Sequence, residues 1–202
     1  MNETQPAPNL ATQPPMKLEA RVAAKLEVQL NAMPNTARWS KILLLAATGF
    51  FFLLVVFNNT TDFDSNYQFV RHILSMDTTF PNNRGLWRAI PSPFLHHLFY
   101  LGIIAWEALN AILSFWASLA LFRTRHASAP VFAQAKSLGT AALTAGMLLW
   151  FVAFLSIGGE WFLMWQSPTW NGQEAAFRMF LSEAAILIYL HLPEPTPQSS
   201  TT

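Results

Sequence analysis

WSKILLLAATGFFFLLVVF, Trp39 to Phe57, decides the architecture. About 20 predominantly apolar residues cross the hydrocarbon core of a bilayer as a helix. This stretch has that length and one charged side chain, Lys41, placed near its end where an ammonium can snorkel to water. Only a helix satisfies its own backbone in lipid, so the run is read as a membrane span. The residues before it, Met1 to Pro34, contain no apolar core of a cleavable signal peptide, so the span is a retained anchor.

Composition extends that reading to the whole chain. Apolar residues make up 52% of the 202 residues and charged residues 11%, against about 25% in a soluble domain. Seventeen Phe and eight Trp are present. Too few polar side chains remain to cover a globule, so lipid is the expected partner. A net charge of +1, with no basic patch, gives no reason to expect nucleic acid. The absence of cysteine excludes disulfides, thiolate metal sites and thiol nucleophiles.

Outward from the first span, the chain divides by composition. MNETQPAPNLATQPP is polar, Pro-rich and expected to be disordered. From Met16 to Met33, Leu18, Val22, Leu26, Leu30 and Met33 recur at helical spacing, with Lys17, Glu19, Arg21, Lys25 and Glu27 opposite. This predicts an amphipathic helix stopped by Pro34, lying on the membrane surface or docking a partner. Asn58 to Pro93 is a long polar connection, with a short helix predicted in SNYQFVRHILSM. Further spans are predicted at about 94–122, 138–157 and 175–192. The third carries small residues four apart (Ser137, Ala141 and Ala145, then Ala142 and Gly146), which let helix backbones approach closely in lipid. A Pro-rich tail closes the chain over 193–202.

The expectation is an all-α integral membrane four-helix bundle with an N-terminal amphipathic helix and a long outer loop containing a short helix. Residues 1–37 form the disordered and amphipathic extension, 38–192 the four-span domain, and 193–202 a disordered tail. Lys17, Arg21, Lys25, Arg38, Lys41, Arg123, Arg125 and Lys136 fall on one side; Arg71, Arg84, Arg88 and Arg178 fall on the other. The positive-inside tendency then puts both termini in the cytoplasm of a bacterial inner membrane.

Chemistry, if present, lies in the few polar groups at membrane depth. His96, Tyr100, Glu107, Asn110, Ser114 and Ser118 follow one another at roughly whole helical turns, forming one stripe along the second span. Glu174, Arg178 and Glu183 of the fourth span are candidate partners for Glu107, and Glu174 with Arg178 can pair at four residues' separation. The first reading of the stripe is interhelical glue. A proton or solute pathway follows, then a quinone or lipid-headgroup site. Haem is disfavoured, because His96 and His191 stand at opposite faces, roughly 30 Å apart. No cofactor and no metal is expected. There is no glycine-rich phosphate loop, no Ser–His–Asp arrangement and no HExxH, so the chain is read as non-catalytic.

Several segments carry a family resemblance: SKILLLAA (40–47), NNTTD (58–62), HILSMDTTFP (72–81), WRAI (87–90), IIAWEAL (103–109) and GGEWFLMWQSPTWNGQEAAFR (158–178). Over about Ser40 to Leu192 the chain resembles the bacterial family of predicted small integral membrane proteins known as domain of unknown function 2165. The resemblance implies a four-helix membrane protein and brings no catalytic residues. Its motifs include Glu107 and an outer aromatic cap, Glu160 with Trp161, Trp165 and Trp170, where indoles suit the headgroup level. The functional expectation is an accessory or scaffolding subunit of a larger inner-membrane complex, of a respiratory or other electron-transfer kind. The alternative is a proton or small-solute carrier using the stripe around Glu107.

Overall fold

The computed structural model describes residues 16–193. The expected disordered segment before Met16, the tail beyond residue 193 and most of the amphipathic face of 16–33 lie outside the described residues or side chains. Five α-helices follow in order, with no strand among the described residues: α1 (Met16–Thr61), α2 (Phe63–Ser75), α3 (Pro93–Thr124), α4 (Ala129–Leu148) and α5 (Gln173–His191). α4 continues directly into a π-helical segment, Leu149–Trp161. Short 3₁₀ turns stand at Leu86–Arg88 and Met164–Gln166.

Two sequence expectations change here. The amphipathic segment does not end at Pro34; it runs on as one helix with the first span. Proline removes one bond of the helical ladder without ending the helix here. The third hydrophobic helix is also longer than its clean apolar stretch. It begins at Ala129, with Pro130 in its first turn where a missing N–H costs nothing, and ends at Trp161.

Three helices are long and apolar enough to cross a membrane: Thr36–Thr61, Pro93–Thr124 and Ala129–Trp161, of 26, 32 and 33 residues. α5 is not among them, because Glu174, Arg178 and Glu183 fall within its 19 residues. α3 packs along both α1 and α4, and α5 lies against α4 and the π-helical segment and touches α1. At one end, which we call the capped end, α2 lies against the start of α3. Its buried Tyr67, Val70 and Leu74 cluster there with Met76, Tyr100 and Phe162. At the other end Ile42, Leu45, Leu121, Phe132, Leu143 and Leu190 form a second cluster.

Small residues set how close the helices come. Gly139 and Gly146, with Ala142 between them, are buried on α4, whereas Ser137 and Ala141 are exposed. The close-packing row is therefore the second of the two read in the sequence. A Cβ on Gly139 would meet Leu45 Cδ1 of α1 at 2.9 Å and Leu190 Cδ2 of α5 at 3.1 Å. A Cβ on Gly146 would collide with the Glu183 carboxylate.

Cations close the open end. Arg38 Nη1 donates to the Arg125 and Ala127 carbonyls at 2.8 and 2.7 Å, tying α1 to the α3–α4 turn, and its guanidinium lies 4.6 Å from the Phe132 ring centre. Lys41 is buried rather than snorkelling. Its Nζ donates at 2.7 Å to the Leu192 carbonyl just past α5, where the last carbonyls of a helix attract a cation.

Candidate functional site

α3 carries the polar stripe on its inward face. His96, Tyr100, Glu107, Asn110, Ser114 and Ser118 are all buried, while Leu98, Leu101, Leu109, Ile112 and Trp116 of the same helix are exposed. All but one of these polar groups bond another part of the fold. His96 Nε2 bonds the Ile90 carbonyl at 2.7 Å and fixes the entrance to α3. The Tyr100 hydroxyl donates to the Asn59 carbonyl at 3.0 Å, and the Ser118 hydroxyl to the Ile42 carbonyl at 2.9 Å, both on α1. The Asn110 amide, oriented to satisfy both of its ends, donates to the Ala142 carbonyl (3.1 Å) and accepts from the Gly146 N–H (3.2 Å). Ser114 Oγ has no hydrogen-bond partner among the described residues.

Glu107 finds its partner on α1, not on α5. Its Oε2 accepts from Asn59 Nδ2 at 2.7 Å, with both side chains buried. The three candidate partners on α5 lie elsewhere. Arg178 and Glu174 face outward as a loose pair, 3.8 Å apart and mostly exposed. Glu183 is buried at 4% exposure. Its Oε1 accepts from Trp150 Nε1 at 2.9 Å, and its Oε2 has no partner among the described residues.

Asn59 was missed in the sequence because the apolar run ends at Phe57, which assigns NNTTD to a loop. The helix instead continues to Thr61, and Asn59 sits two residues inside its end. Trp150 was missed because a Trp in an apolar run reads as lipid-facing, yet it is buried and binds Glu183. No local signal announces the π-helical segment that carries it.

The capped end gathers aromatic side chains, but the three indoles of the expected cluster go to separate places. Trp170 stacks on His72, ring centres 4.8 Å apart, and meets Phe69 edge-on. Trp165 meets Phe80 edge-on at 5.7 Å. Trp161 meets Trp87 at 5.8 Å, with the Arg88 guanidinium 5.4 and 5.6 Å from the two rings. Glu160 contributes its backbone: Arg88 Nη1 donates to the Glu160 and Trp161 carbonyls at 3.3 and 2.9 Å. Leu163 adopts left-handed backbone (φ 55°), which a Leu side chain rarely tolerates, at the hinge between the π-helical segment and the following 3₁₀ turn.

Below α2 a cavity of about 270 Å³ opens among α1, α2, α3, the π-helical segment and the start of α5. Asn59, Asn66, Tyr100 and Glu107 supply its polar wall; Phe69, Trp150 and Phe154 supply aromatic faces. Here the stripe meets open space rather than another helix.

No curated protein and no solved structure matches the chain. A family model described as a predicted small integral membrane protein matches residues 37–193, and the chain therefore belongs to that family, domain of unknown function 2165, as an integral membrane protein.

Proposed function

We propose that this protein is a four-crossing, non-catalytic scaffold, an accessory subunit of a larger inner-membrane complex. The observation that carries the reading is the use made of the intramembrane polar groups. Asn59–Glu107, Tyr100–Asn59, Ser118–Ile42, Asn110–α4 and Trp150–Glu183 each join two different helices. Such bonds give a bundle one fixed arrangement in lipid, where the hydrophobic effect does not drive helices together. The exposed aromatics at the capped end, among them Phe80, Trp87, Trp161 and Trp165, suit a surface on which a second membrane protein rests.

α5 supplies the fourth crossing in this reading. Its 19 residues extend roughly 28 Å, close to the hydrocarbon thickness. Gly172 before its start lies against Phe69 of α2, and Leu192 after its end accepts from Lys41 at the opposite end. Glu183 is shielded, and Arg178 and Glu174 lie within its first two turns, near the capped end. With Arg38, Lys41, Arg123, Arg125 and Lys136 at the open end, that end faces the cytoplasm by the positive-inside tendency.

The competing reading, a proton or small-solute carrier, draws on the cavity beside Glu107. Purification of the native protein in mild detergent separates the two. Stable co-migration with other membrane subunits is the expected result. A lone or homo-oligomeric particle, with flux in liposomes that disappears in Glu107→Gln, would overturn the scaffold reading.

A further inference from the structure

The cavity at Glu107 does not end at its own walls. A smaller apolar cavity of about 100 Å³, between α2, α3 and the π-helical segment, shares Phe69, Val70, Ile103 and Phe154 with it. A third, of about 330 Å³, lies along the groove between α3 and the α4–π helix and shares Phe99, Ile103, Ala153 and Ile157 with the second. Ile103 lines all three. They lie in a row from the lipid-facing side of α3 to the carboxylate, with the Ile103 side chain between them. Gly102 stands in the groove, exposed, and a Cβ there would meet nothing within 4 Å. The π-helical segment forms one side of this row, and wide helical turns of this kind are frequent at functional sites.

The chemistry along the row restricts what it admits. No Lys or Arg lines any of the three cavities, so an anionic phosphate headgroup would sit beside Glu107 without a counter-charge. The apolar walls disfavour passage of a charged amine for the same physical reason, since each charge would be stripped of water. What remains is a neutral, flat molecule with an apolar tail. At the polar wall, Glu107 and the Tyr100 hydroxyl present acceptor oxygens, and the aromatic faces of Phe69, Trp150 and Phe154 suit a ring. Beside the Asn59 and Asn66 amides, these oxygens give a ring hydroxyl a partner.

We propose that Asn59, Tyr100 and Glu107 form the polar end of a binding site for a lipid-soluble hydroxylated ring, of the isoprenoid quinol class, which arrives laterally from the bilayer along the Gly102–Ile103 groove. The site is complete within one chain and requires no partner subunit, so it stands or falls separately from the scaffold reading.

Binding of a short-tailed quinol to the purified full-length protein in neutral-lipid nanodiscs tests it. Trp150 and Trp106 line these cavities and report through their fluorescence. The expected result is saturable quenching, weakened about tenfold in Glu107→Gln, the order set by one hydrogen bond. Gly102→Phe plugs the groove from its exposed side, so it reduces binding by a similar factor while leaving the thermal unfolding midpoint in place. Quenching that rises without saturation, that is equal in the wild type and Gly102→Phe, or that is relieved by added anionic phospholipid, would overturn the proposal.

Discussion

Asn59 and Glu107 illustrate how a single contact between spans is set. The amide and carboxylate meet at 2.7 Å with almost no exposure, so removing the amide leaves a buried acceptor without a donor. We expect Asn59→Ala to lower stability by about 1–3 kcal/mol, the cost of such an orphan, measured as thermal unfolding in detergent. Glu107→Gln keeps an oxygen for Asn59 and should cost less than Asn59→Ala. The reverse order would show that Asn59 does not hold this carboxylate. Gly146 and Glu183 form a second test, of space rather than bonding. A Cβ at residue 146 collides with the Glu183 carboxylate, so Gly146→Ala should destabilise by about 1–3 kcal/mol. In a Glu183→Ala background the same substitution should be nearly neutral, and additivity of the two would refute the contact.

α2 is held over the bundle by packing and by one backbone bond near its end, from the Ile90 N–H to the Leu74 carbonyl at 2.8 Å. Its apolar face meets Tyr100 and Phe162, and Trp170 stacks on His72 and touches Phe69. Loss of the Trp170 ring should loosen α2 and the connection after it, where Arg71, Arg84 and Arg88 are potential trypsin sites. We expect Trp170→Ala to raise tryptic cleavage there roughly two- to tenfold, with the rest of the fold intact. Unchanged cleavage would mean that the buried cluster alone fixes α2. Helical periodicity made α3 legible in the sequence, because a stripe at whole turns marks one face whatever that face touches. It could not name the partners, since the register of Asn59 against α3, and of Trp150 against Glu183 of α5, follows from three-dimensional packing. The π-helical segment and the passage through Pro34 were illegible for another reason. Both depend on flanking structure overriding a local preference, and composition records only the preference.

For the molecule as a whole, three helices are long and apolar enough to cross a membrane, and belonging to the family makes this an integral membrane protein. The proposed fourth crossing rests on α5, whose polar residues hide it from any count of apolar residues. Its ends are pinned at opposite ends of the bundle by Gly172 against Phe69 and by Lys41 on Leu192. The whole chain contains no cysteine, so single introduced cysteines report topology without background. Asn82→Cys, Ser128→Cys, Thr169→Cys and Ser200→Cys sample both connections at the capped end, the α3–α4 turn and the tail beyond α5. Labelling of intact cells or sealed vesicles with a membrane-impermeant maleimide should modify positions 82 and 169 from one side, and positions 128 and 200 only from the other. Modification of position 200 from the same side as 169 would contradict a fourth crossing and with it the proposed scaffold.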